Sequence, residues 1–79
     1  MKNPEFNHLL KHYRHHKLAL RYAMAIYRTE RSTDSAFNMA AARGALDCLY
    51  AQAAGKGLIN FAKGIRRTIE AAARYASAP

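Results

Sequence analysis

Cysteine, carboxylate and long apolar runs are all in short supply in this chain, and each scarcity closes off a class of protein. A single cysteine, Cys48, in 79 residues permits no internal disulfide and no zinc site built on paired thiols, a pattern that fits a reducing compartment. Only five Asp and Glu stand against thirteen Lys and Arg, and none of the five forms a pair at a spacing suited to general acid–base work. Cys48 has no base beside it and lies among apolar helix positions, which reads as a buried, inert thiol. No catalytic residue is assigned, no cofactor is called for, and the chain is read as non-enzymatic. Nowhere does an apolar run approach the roughly 20 residues of a membrane span, and the polar, histidine-rich beginning lacks the apolar core of a signal peptide. The expected location is cytoplasmic. Strand-length alternation, internal repeats and low-complexity linkers are missing too, which removes β and solenoid architectures.

What is present is helical periodicity and positive charge. The chain is 51% hydrophobic, too apolar for disorder, although much of that fraction is alanine, which buries little area per residue. A chain of this length buries only about 60% of the surface its unfolded form exposes, so residues 1–79 are read as one domain that gains from a second subunit or a partner. The formal net charge is +8 and the sequence pI about 10.2, a surface that attracts anions: nucleic acid, an acidic protein or nucleoprotein surface, or an anionic membrane. Within Asp34–Gly55 the only cation is Arg43, so the positive field belongs to the first and last helices.

The fold class is all-α: a small three-helix bundle or helical hairpin with a long first helix, in helices over about 4–30, 34–54 and 58–76. Asn3-Pro4-Glu5 supplies a cap, a tolerated proline and an acid at the positive end of the helix dipole. Phe6, Leu9, Leu10, Tyr13, Leu20, Met24 and Tyr27 then fall within an arc of about 100°, one face of an amphipathic helix. At 1.5 Å per residue that helix is about 40 Å long, more than either neighbour matches, so part of it is expected to project or to pair with another chain as a dimer. Ser32-Thr33-Asp34-Ser35 breaks the period and offers capping side chains. The second helix has small faces, with Gly44 its weak point, and ends at Gly55. The expected core is Phe6, Leu9, Tyr13, Leu20, Tyr27, Phe37, Leu49, Phe61, Ile65 and Ile69.

Three constellations invite a functional reading. His8, His12 and His15, with His16 beside them, sit at spacings that share a helix face; one helix rarely completes a tetrahedral metal shell, so a solvated polar face is the simpler account, and they are weak metal candidates only. Gly55-Lys56-Gly57 resembles a piece of a phosphate cradle, yet it is too short for a P-loop and has no preceding strand, and a glycine-rich turn explains it. The basic rows carry more weight. Arg14, Arg21 and Arg28 recur at intervals of seven, nearly two full turns, with Lys11 and Lys17 at the margins, Tyr22 near by, and Lys63, Arg67 and Arg74 on the third helix. Such cations pair with carboxylates or track phosphates. A helix-turn-helix fits poorly, because the second helix is long and the third opens without base-reading Asn, Gln and Arg.

These residues imply a small basic interaction protein that occupies an acidic surface of a larger macromolecule and inhibits or regulates it, comparable in size and chemistry to inhibitors that phages and mobile elements encode. The alternative is nucleic-acid binding through the cations of the first and third helices. An interfacial membrane role is a third, weaker fit.

Overall fold

The computed structural model describes residues 4–77, with side chains as far as Tyr75. The described residues form three helices, α1 (Pro4–Glu30), α2 (Thr33–Gly55) and α3 (Ile59–Ser77), in a slender bundle of 44 × 17 × 16 Å. The expected cap Asn3 lies outside them. Facing residues show the directions: His8 shares a cleft with Gln52 and Ile26 one with Asn38, so α1 and α2 are antiparallel, whereas Phe6 meets Phe61 and Arg28 meets Tyr75, so α1 and α3 are parallel.

Two tight turns set this path. At the end of α1, Arg31 adopts a left-handed φ of 52° and its amide donates to the Tyr27 carbonyl at 2.9 Å, a single-bond C-cap that usually employs glycine. Ser32 caps α2 at once. Its Oγ accepts from the Ser35 amide and the Ser35 Oγ accepts from the Ser32 amide, both at 3.1 Å, while the Ser35 hydroxyl also donates to the Ser32 carbonyl. This capping box has serine where Glu or Gln is usual, and Ser35 is buried with its hydrogen bonds made. After α2, the amides of Gly57 and Leu58 donate to the carbonyls of Ala54 and Ala53, a Schellman turn in which Gly57 has φ 77°. Those amides are spent on the helix end, so the Gly55-Lys56-Gly57 segment is a turn and has no free cradle for phosphate.

Leu9, Leu20, Leu46, Leu49 and Ile65 form the buried centre, with Ala23, Ala42, Ala53, Ala62 and Ala72 letting the helices approach closely. Phe6, Tyr13, Tyr27, Phe61 and Ile69 are half-buried around it. Two expectations fail. Phe37 is 71% exposed and Cys48 is exposed as well, not a buried thiol. Phe37 lies on the side of α2 opposite Leu46 and Ala53, and Cys48 opens into a cleft beside α1. The helix is apolar almost all round, so apolarity does not distinguish its inner from its outer side. The length mismatch also shrinks: α2 has 23 residues against 27 in α1, a difference of about one turn. Among the described residues no helix is long and apolar enough to cross a membrane.

Candidate functional site

α3 leans on α2 and touches α1 at scattered points. Near its start, Phe61 packs edge-on against Phe6 and Tyr13, with ring centroids 5.2 and 5.6 Å away. Further along, the Tyr13 hydroxyl lies 2.8 Å from Thr68 Oγ1. Thr68 already donates to the Gly64 carbonyl at 3.2 Å, which makes Tyr13 the donor. At the far end, the Arg28 guanidinium stacks over the Tyr75 ring at 5.7 Å, and the Tyr75 hydroxyl makes a long 3.5 Å contact with the Met24 carbonyl.

Between these bridges the helices part, leaving an open groove of about 380 Å³ lined by Leu20, Met24, Ala71, Ala72, Thr68, Lys17, Arg21 and Arg67. Its floor is apolar and its rims are cationic. Lys17 and Arg21 stand on the α1 rim and Arg67 on the α3 rim. Arg14 and Arg28 share the row of Arg21, seven residues to either side, so they extend the first rim. Lys63 and Arg74, one turn before and two turns after Arg67, extend the second. Three of the nine binding candidates drawn from the sequence, Lys17, Arg21 and Arg67, thus line one concave face, contributed by two helices that the chain separates by some thirty residues, and four more continue their rows along α1 and α3.

Two candidates fall elsewhere. Tyr22 is 71% exposed and lines a different groove, of about 480 Å³ between α1 and α2, with Ala19, Ala23, Ile26, Ala41 and Ala45. Lys11 shares the outward side of α1 with Tyr22. Neither lines the cationic groove.

None of the five carboxylates lines the cationic groove. The ion pairs recorded among the described residues are Lys56–Glu5 at 3.4 Å and Arg66–Glu70 at 3.1 Å, both exposed and both away from it. Lys17 does touch the Tyr13 ring, 5.6 Å from its centroid. Among the described residues Arg14, Arg21 and Arg67 form no ion pair with a carboxylate.

The histidines form a separate chain of ring contacts on the other flank of α1. His8 meets His12 edge-on at 4.5 Å, His12 stacks with His16 at 6.2 Å, and His16 meets His15 at 5.2 Å. His8, His12 and His16 share a cleft of about 270 Å³ with Cys48 and Gln52, while His15, the third weak metal candidate, does not line it. Burial pushes the His16 pKa below its usual value, and the neighbouring His15 and His12 push it the same way. Among the described residues no three or more His, Cys, Asp or Glu are arranged to hold a metal ion.

Comparison with protein-family models, with curated proteins and with solved structures finds no match for this chain.

Proposed function

We propose that this chain is a small basic interaction protein that docks its α1/α3 face on an acidic surface of a larger protein and inhibits or regulates it by occupancy. One observation carries the reading: cations without carboxylate partners border an apolar depression, with Lys17 and Arg21 on one side and Arg67 on the other. An exposed ion pair is worth at most about 1 kcal/mol, but one covered by an apolar contact loses solvent screening and holds more strongly. Phosphodiester backbone would use the rims and leave the floor of Leu20, Met24 and Ala71 without a function. A protein surface uses both.

Affinity capture from lysate, with and without nuclease, tests the proposal. The expected result is a discrete protein set retained in both arms by the wild-type chain and released by the Arg21→Glu, Arg67→Glu double variant. Capture that disappears with nuclease and falls by orders of magnitude between about 50 and 200 mM salt would transfer the function to nucleic acid.

A further inference from the structure

We infer that the occupant of the α1/α3 groove is an acidic amphipathic helix, seated along the groove with apolar side chains on the floor and carboxylates reaching to both rims. The inference rests on the reading above and specifies the partner's form. Its first support is shape. The groove lies between two parallel helices and is bounded at one end by the Tyr13–Thr68 hydrogen bond and at the other by the Arg28–Tyr75 stack. Its lining runs from Lys17 to Met24 on α1 and from Arg67 to Ala72 on α3, about 10 Å or two helical turns between parallel walls, and the cationic row continues beyond it on α1 through Arg14 and Arg28.

Charge complementarity supplies the second support. The groove has cations on both rims and none on its floor, so the complementary surface is an apolar stripe flanked by negative charge on each side. An amphipathic helix with Leu or Phe at i, i+3, i+4 and i+7, and Glu or Asp beside them, has that layout. Arg21 and Arg67 can each take a carboxylate as a two-pronged pair, while Lys17, held against Tyr13, contributes a point charge. Ala71 is exposed on the groove floor, and its small side chain leaves room above it for an anchor. A side chain added at Ala71, which is exposed in the free protein, would occupy that space without entering the core.

Two fluorescent synthetic peptides of about 18 residues, built from alanine, leucine and glutamate, provide the probe; one has the leucines on a single face between glutamates, the other the same composition shuffled around the helix. A single-stranded oligonucleotide of matched charge is the third ligand. Binding is measured by anisotropy to the full chain and its variants in about 0.15 M salt. The expected result is that the amphipathic peptide binds about tenfold or more tightly than the shuffled one. Ala71→Leu should weaken it by a similar factor, and Arg21→Glu with Arg67→Glu should abolish binding. Circular dichroism and a melting curve accompany each variant, and Ala71→Gln replaces Ala71→Leu if the latter does not fold. Equal binding of both peptides, unaffected at Ala71 but lost on charge reversal, would overturn the helix while leaving the acidic-surface reading in place. If charge reversal changes nothing, both fail. Tighter binding of the oligonucleotide than of either peptide would overturn both in favour of nucleic acid.

Discussion

Leu20 shows how much one residue bears in a bundle this thin. It is 1% exposed at the centre of the core and its side chain also forms part of the groove floor, so Leu20→Ala removes packing from both. The expected cost is about 2–5 kcal/mol, read as a large drop in melting temperature. Phe37→Ser is the counter-case: an exposed aromatic should be replaceable within about 0.5 kcal/mol, and a large loss would mean that Phe37 packs against something in solution. His16 links one residue to pH. Its folded pKa is lowered by burial and then by His15 and His12, so the unfolded chain takes up the proton more readily. The stability tied to neutral His16 is therefore present above about pH 6.5 and is lost as pH falls through that value toward the lowered folded pKa. Melting temperature should fall between about pH 7.5 and pH 5, and His16→Gln should remove part of the fall. A rise on acidification would reverse the assignment. None of the groups named here as facing His16, namely His12 and His15 on its own helix and Cys48 and Gln52 across the cleft, offers a carboxylate to offset the new charge.

At the scale of elements, the helix ends behave differently from the helix middles. Gly57 needs its left-handed φ of 77° to close the Schellman turn, whereas Gly44 is an exposed interior position where a Cβ meets nothing within 4 Å. Gly57→Ala should destabilise by about 1 kcal/mol or more, while Gly44→Ala should stabilise by about 0.5–1 kcal/mol, because alanine loses less backbone freedom on folding. Thermal melts of the two variants should move in opposite directions; a common direction would contradict the assigned turn. The sequence made these elements legible to different degrees. Periodicity located α1 and α3 because their apolar residues recur on one side against charged residues on the other. α2 defeats that signal: exposed alanines and Phe37 lie on its outer side and Leu46, Leu49 and Ala53 on its inner side, with few charges to separate them. The cationic rows were legible as rows but not as two rims of one groove, since that depends on α1 and α3 running parallel. A neutral, spacing-based signal for the groove existed only in Ala71 and Ala72, which read as helix-forming alanines.

For the whole molecule, the decisive feature is how +8 is distributed. α2 contributes Arg43 alone, and among the described residues the ion pairs use Lys56 and Arg66 and none of the cations that line the α1/α3 groove. If that face is the functional one, position of charge matters and not its total. Three triple variants separate these. Arg14, Arg21 and Arg28 reversed to glutamate remove the α1 rim; Lys63, Arg67 and Arg74 reversed remove the α3 rim; Lys11, Arg43 and Arg66 reversed remove cations outside the groove. Each lowers the net charge from +8 to +2. The long-range attraction that speeds encounter is thus reduced equally in all three. The direct measurement is the amount of protein each variant retains from nuclease-treated lysate relative to wild type, with helicity checked for every variant. Both rim variants should lose retention while the third keeps most of it; equal losses in all three would show that net charge alone attracts the partner and would contradict the groove as the docking site.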